Sequence, residues 1–220
     1  MKRTLLITLA GMAAAHAAEP TAAQQSRYAI ELGVAGNFAV KSITSDAAIS
    51  GVRLHTYGAD LTGVRYLGTR GRHALTLRLG YATGSAEEED FIGNAYYTMK
   101  GSVTHTTLRP GYRYSRPVAG KVKLIAGVHA GLSCLSAHDR EEWGDAAWVN
   151  IRKTAYGLAY AAEVGFSWKR SAHVNYFIAY QFGGSTARPT LKWSDGEATY
   201  TTRLNAQQYH SVRIGVSYHF

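Results

Sequence analysis

Ser211-Val212-Arg213-Ile214-Gly215-Val216-Ser217-Tyr218-His219-Phe220 closes the chain. Val212, Ile214, Val216, Tyr218 and Phe220 are apolar; Ser211, Arg213, Gly215, Ser217 and His219 between them are small or polar. A period of two is the side-chain period of a β-strand, so one face is greasy and the other wet. The strand ends without a turn, on an aromatic residue. Its backbone groups still need partners on both sides, and in lipid all of them do. The simplest second partner is the first strand of the same chain, which closes a barrel.

Working outward, the same period recurs in seven further stretches. Tyr28, Ile30, Leu32 and Val34 alternate with Ala29, Glu31, Gly33 and Ala35, which gives a strand reaching about Val40. A second runs from Val52 to Leu67 with its pattern broken: Tyr57, Ala59 and Leu61 mark one face and Val64 and Tyr66 the other, so a bulge is expected near Thr62–Gly63. Leu75, Leu77, Leu79 and Tyr81 oppose Thr76, Arg78 and Gly80. Leu108, Pro110, Tyr112 and Tyr114 oppose Arg109, Gly111 and Arg113, on a strand expected from about Tyr96 to Tyr114. Pro110 lacks the N–H a paired strand uses, which predicts a bulge there too. Val122 to Leu132, Leu158 to Trp168 and Val174 to Phe182 repeat the alternation, with Lys123, Gly127 and His129, then Glu163 and Gly165, then Asn175 and Gln181 on the polar side.

Between these strands, short turns near 69–72, 116–120 and 169–172 alternate with long polar segments near 41–50, 84–95, 134–153 and 184–206. Short turns on one side and long loops on the other are the habit of outer-membrane barrels, and an even strand count puts all four long loops outside when both termini lie inside. The expected fold is therefore all-β: an eight-stranded antiparallel up-and-down transmembrane β-barrel. No helical period of useful length and no second domain are legible.

A soluble eight-stranded barrel carries its apolar face inward, so the content of the polar face decides between water and lipid outside. That face is Gly-rich, with Glu31, Arg65, Arg78, Arg109, Arg113, Lys123, Glu163, Gln181 and Arg213 spread through it. Small residues and a few pairing charges suit a lumen just wide enough for side chains. The apolar face carries aromatics near strand ends, among them Tyr28, Tyr66, Tyr81, Tyr112, Phe166, Trp168 and Phe182, as membrane girdles do. Mean hydropathy of −0.18 agrees, because only alternate residues meet lipid.

The N-terminus reads as an export signal: Lys2 and Arg3, a short apolar run from Leu5 to Ala15, and the small-x-small triplet Ala15-His16-Ala17. Residues 1–17 are expected to be a removed signal peptide and 18–220 the barrel domain. Losing Lys2 and Arg3 takes the formal charge from +9 to +7. Export makes nucleic acid a poor partner for that charge; lipopolysaccharide or an arginine-lined interior explains it better. Cys134 is the chain's single cysteine, so no internal disulfide is available. A buried small residue is its expected role.

Phe220, Tyr218 two residues before it, and the alternating residues upstream resemble the C-terminal signature of bacterial outer-membrane barrels. Together with Leu77-Arg78-Leu79-Gly80-Tyr81, Arg109-Pro110-Gly111-Tyr112-Arg113-Tyr114 and Ala162-Glu163-Val164-Gly165-Phe166, they make the chain resemble the small eight-stranded outer-membrane proteins of the OmpX, opacity-protein and OmpA-membrane-domain type. That resemblance implies a monomeric protein of the bacterial outer membrane. It implies Tyr218 and Phe220 as an assembly signal read by the barrel-assembly machinery, and a structural or adhesin-like role for the loops.

Candidate sites follow. Glu31, Arg78, Arg109, Arg113, Lys123, Glu163 and Arg213 form an expected charge network in the lumen, since buried charges need partners; a small gated pore is the alternative use of the same residues. Trp143, Trp148 and Trp193 are candidate anchors for an extracellular ligand. His210-Ser211 invites a lipid A-modifying hydrolase, but neighbours on a strand point to opposite faces, so no catalytic residue is assigned. The acidic runs Glu87–Asp90 and Asp139, Glu141, Glu142 and Asp145 lack calcium-loop spacing and read as solvated loops. No metal and no cofactor is expected.

Overall fold

The computed structural model describes residues 27–40, 55–68, 71–92, 95–143, 147–194, 199–203 and 205–220; within these, 86–101, 138–152 and 191–202 are described as backbone alone. The expected signal peptide, the loop at 41–50 and Val52 lie outside the described residues. The strands are β1 (Tyr28–Ala39), β2 (Thr56–Leu67), β3 (His73–Ile92), β4 (Ala95–Ala119), β5 (Val122–Trp143), β6 (Ala147–Lys169), β7 (Val174–Ser185), β8 (Thr190–Ser194), β9 (Thr199–Arg203) and β10 (Gln207–His219). Eight of them form a closed barrel in the order β1-β10-β7-β6-β5-β4-β3-β2, and β8 pairs with β9 in a separate hairpin.

The last strand closes on the first, from Ala29↔His219 to Ala39↔Tyr209. The Phe220 N–H donates to Tyr28 O at 3.1 Å, and the two rings stack with centroids 6.5 Å apart. Closure leaves no barrel edge unpaired, which is the condition for lying in hydrocarbon. The pairing also fixes the barrel's width. A path from Ala29 across paired residues Val64, Thr76, Gly111, His129, Ala161, Gly183 and Tyr209 returns to β1 at Ala39, ten residues further on. Strand number and this stagger together set the tilt and the bore.

Polarity is inverted relative to a water-soluble barrel. Leu32, Val128, Leu132 and Leu158 are each about 60% exposed, whereas Arg78 and Arg213 are fully buried. A continuous apolar exterior around a charged interior identifies lipid as the outer solvent. Aromatic residues bound the belt: Tyr28, Trp168, Tyr218 and Phe220 at the short-turn end, Tyr57, Tyr81 and Tyr156 at the other.

The structure corrects several sequence expectations. The bulge near Thr62–Gly63 is absent: β2 pairs in unbroken register with both neighbours. Val64 and Tyr66 therefore face inward and Arg65 outward, because β2 ends with its apolar residues on the lumen side and packs Tyr66 against Ala29, Val64 and Ala74. Pro110 makes no bulge either. It holds its place opposite Leu77 on β3, and the β4–β5 register is the same at Leu108↔Leu132 and Gly111↔His129; the irregularity falls at Pro117/Ala119 instead. The segments expected as loops at 84–95 and 134–153 are strand almost throughout. β3 and β4 pair as far as Ile92↔Ala95, and β5 and β6 as far as Trp143↔Ala147. The acidic runs thus belong to strands, except Asp145, which lies outside the described residues. The loop expected at 184–206 contains the β8–β9 hairpin.

Strands β3 to β6 thus run past the barrel on one side, since β2 begins only at Thr56 and β7 stops at Ser185. Where they do, the greasy face changes sides. Within the belt, Leu108, Leu132 and Leu158 point out, and Thr107, Arg109 and Ser133 point in. Further along, Val103, Leu135 and Ala137 are buried on the inner face, with Ala155 beside them, while Ser136 and Thr154 face out and share a hydrogen bond of 2.6 Å. Ala187, just after β7, is fully buried in this inner cluster.

The closed register is testable. In a Cys134→Ser background, Leu32→Cys with Val216→Cys, paired directly across the seam, is expected to form a disulfide in the folded protein. Facing Cα atoms of a hydrogen-bonded antiparallel pair lie about 5.5 Å apart, within disulfide range. Leu32→Cys with Ile214→Cys, a register step away, is expected not to. Mobility on non-reducing gels after unfolding reads the outcome, and equal cross-linking of both pairs contradicts this closure.

Candidate functional site

The middle of the lumen is a network of three carboxylates and three guanidiniums. Each charged residue sits at an inward position of a different strand, where alternation leaves it no path to water. Arg113, on β4, grips Glu31 of β1 with two bonds, Nη1 to Oε1 at 2.5 Å and Nη2 to Oε2 at 3.0 Å. Its Nε donates to Glu163 Oε1 on β6 at 3.0 Å. Glu163 also accepts from Arg78 Nη2 at 2.7 Å and from Gln181 Nε2 at 2.8 Å. Arg213, on β10, holds Asp60 of β2 with two donors, Nε to Oδ2 at 2.7 Å and Nη2 to Oδ1, and approaches Glu31 Oε2 at 3.5 Å. Thr62 ties the two halves together, accepting from both Arg78 and Arg213. The Arg213 guanidinium lies 4.3 Å above the Phe177 ring. His129 Nε2 is 3.2 Å from Glu163 Oε1 without hydrogen-bond alignment.

Bidentate guanidinium–carboxylate geometry is the form in which buried charge is best compensated. Equal numbers of each sign also leave the paired core of the network neutral. The network divides the lumen. A cavity of ≈ 20 Å³ on the short-turn side reaches Lys123 and His219, and one of ≈ 40 Å³ on the long-loop side reaches His105, Arg109 and Tyr209. These volumes hold roughly one to three waters each.

Of the seven charged residues expected in the lumen, the structure brings Glu31, Arg78, Arg113, Glu163 and Arg213 into the network. Lys123 does not join it. It faces inward, but near the short-turn mouth, where its side chain is exposed. Arg109 is buried but stands apart: its Nη1 is 3.5 Å from Tyr209 Oη, its Nε has no partner, and no carboxylate among the described residues pairs with it. Asp60 and Thr62 are network members that the sequence reading left unassigned, and Gln181, read there only as a polar-face residue, joins the network as a donor to Glu163. The expected bulge at Thr62–Gly63 broke the alternation of β2 just where Asp60 had to be placed.

Above the network, Ser133 Oγ bonds to His105 Nε2 at 3.0 Å and to Ser185 Oγ at 2.6 Å. The apolar cluster around Leu135 and Ala187 covers this layer. His210 and Ser211 lie on opposite faces: His210 bonds to Tyr180 Oη among outer aromatics, and Ser211 is fully buried in the lumen. Cys134 is half-buried on the outer face rather than in a core, because it sits where the outward side turns polar. Tyr218 and Phe220 stack at the seam, on the lipid face. Trp143, Trp148 and Trp193 fall in β5, β6 and β8 where the backbone alone is described, so their side chains lie outside the described structure.

Closure, inverted polarity and a charge-plugged bore define the fold of small eight-stranded outer-membrane β-barrels, and this chain has that fold. Solved structures agree. A major outer membrane protein from Thermus thermophilus superposes with a TM-score of 0.57 at 12% identity, over 88% of this chain and 99% of that one. The outer membrane protein OprG from Pseudomonas aeruginosa gives 0.56 at 13% identity, over 90% and 97%. Ail, the attachment invasion locus protein of Yersinia pestis, gives 0.50 at 12% identity, over 90% and 100%. No protein-family model and no curated protein sequence matches the chain. At these identities the likeness is one of fold.

Glu163 is the network's most shared acceptor, which makes it the position to test. Glu163→Gln removes the charge facing Arg78 and Arg113 and is expected to cost about 3–5 kcal/mol, the range for a buried charge stripped of its partner. Urea unfolding of the barrel in micelles, followed by tryptophan fluorescence, measures it. Glu163→Met combined with Arg78→Met removes one charge of each sign and is expected to cost less than Glu163→Gln alone.

Proposed function

We propose that the protein is a bacterial outer-membrane barrel whose role is carried outside the membrane, by the sheet that β3 to β6 form beyond the barrel together with the β8–β9 hairpin. The observation that carries this reading is the length of those four strands past the neighbouring strand ends. A barrel serving only to fill membrane has no need of them. Where side chains are described, Ser136 and Thr154 lie on the sheet's outer face, and Val103, Leu135 and Ala137 on its inner face pack with Ala187. A hydrogen-bonded sheet suits surface recognition better than an unpaired loop does, because less ordering entropy is lost on binding. Lipopolysaccharide is the expected neighbour of the upper aromatic belt, the barrel-assembly machinery the expected partner during insertion, and an extracellular ligand the expected partner of the sheet. The barrel is proposed to act as a monomer, since the lipid-facing belt surrounds it and it closes on its own last strand.

The filled lumen supports a plug rather than a pore, and the separation of His210 from Ser211 removes the nucleophile–base pair that a lipid A-modifying activity would use there.

Two measurements test the proposal. Purified barrel in planar bilayers is expected to give no conductance steps above background; regular steps would replace the plug with a channel. Cells displaying the protein are expected to bind immobilised host-surface preparations. Replacing 87–99 and 138–152 by tight turns is expected to reduce that binding to the level of cells without the protein. Unchanged binding by a trimmed, correctly inserted barrel would move the role away from the projecting sheet.

A further inference from the structure

Buried charge in the lumen does not balance. Glu31, Asp60 and Glu163 are matched by Arg78, Arg113 and Arg213, and Arg109 is a fourth buried guanidinium, 6% exposed, with no carboxylate partner among the described residues. Among the described residues its Nε, which is buried, has no partner, and its side-chain hydrogen bond to Tyr209 Oη is long at 3.5 Å. An isolated cation enclosed by a protein wall with hydrocarbon beyond it is among the costliest groups to leave uncompensated. Asp60 offers no relief, because both its oxygens are already taken by Arg213.

The space beside Arg109 is the cavity of ≈ 40 Å³. Its wall carries further polar groups: Asn37, His105, Thr107, Gln181 and Tyr209, and also the Asp60 carboxylate, whose charge Arg213 offsets. Gly80 opens the wall opposite. A Cβ at that position would lie 2.8 Å from Thr107 Oγ1 and 3.7 Å from Arg109 Nη2, so the glycine keeps the guanidinium's surroundings clear. The ion network, through Asp60 and Gln181, bounds the cavity on the short-turn side, and toward the long-loop side the cavity is partly open.

We propose that this cavity is a binding site for a small inorganic anion, chloride in ordinary saline, held by Arg109 and completing the charge balance of the lumen. The chemistry is that of a buried guanidinium, without a carboxylate partner among the described residues, beside a polar chamber. The size suits a halide with a water or two and excludes a nucleotide or a sugar phosphate. The inference stands whether or not the projecting sheet binds a partner, since it concerns the barrel interior alone.

Crystals of the mature, detergent-solubilised barrel grown in sodium bromide test it directly. An anomalous difference peak is expected in the chamber, within hydrogen-bonding reach of Arg109 Nε. Ordered water there with no anomalous signal would overturn the proposal. A second readout is the thermal midpoint of the folded barrel. It is expected to rise with the logarithm of chloride or bromide concentration at fixed ionic strength, with gluconate as the balancing anion too large for the cavity. Arg109→Met is expected to abolish that dependence. A midpoint equally insensitive to halide in the wild-type protein would contradict the site, whatever the variant does.

Discussion

In hydrocarbon a backbone N–H or C=O has no water to fall back on, so each must find a partner within the protein. For a chain of alternating residues the solution is to join its last strand to its first. The Ala29↔His219 to Ala39↔Tyr209 pairing meets that demand, and much else follows from it. Closure with a ten-residue stagger fixes the bore. The bore fixes how many side chains can share a level, and the alternation fixes which residues those are. Arg78, Arg113 and Arg213 reach Glu31, Asp60 and Glu163 because strands distant in sequence meet across a narrow tube: Arg213 and Asp60 are separated by 153 positions yet joined by two hydrogen bonds.

The same closure makes the charges necessary to one another. On an exposed surface an ion pair contributes little. Inside this tube each charge is deprived of water whether or not it is paired, so removing a partner costs more than making the pair gains. The network therefore acts less as an added source of stability than as a condition on the interior. It also selects a register, because slipping any of these strands by one residue would turn its charged residue into lipid and its leucines into the lumen.

The fold was legible in the sequence because its governing signal, a period of two, survives in most of the strands, and the Gly-rich, aromatic-flanked pattern decided which solvent lay outside. The site was legible in part. Parity placed Glu31, Arg78, Arg109, Arg113, Glu163 and Arg213 inward, but parity is silent about height along the strand, which is why Lys123 was grouped with a network it stands below. Asp60 was missed for a different reason. Val64 and Tyr66 point into the lumen near the short-turn end, and apolar residues on the wet side look like a slipped register when no structure shows what covers them. The bulge expected at Pro110 failed because the strand is held in place from β3, so a missing donor interrupts one ladder without shifting it.

The misread loops carry a further lesson. Cys134-Leu135-Ser136-Ala137 alternates as regularly as Val128-His129-Ala130-Gly131, but with the apolar residues on the other parity. A scan for one continuous greasy face sees the pattern end at Leu132 and reads a loop beyond it. The strand does not end there; its surroundings change. While β5 faces lipid, its outer side must be apolar and its inner side meets the polar lumen. Once it leaves the lipid, water wets the outer side, and the inner side is free to be covered by Ala187 and its neighbours. The reversal between Leu132 and Leu135 therefore marks the membrane boundary on this side of the barrel, as the upper aromatic residues Tyr81 and Tyr156 do from the outside. A reversal of parity without a break in period is a signal that this sequence carries. It separates a strand that crosses into water from a loop that begins there.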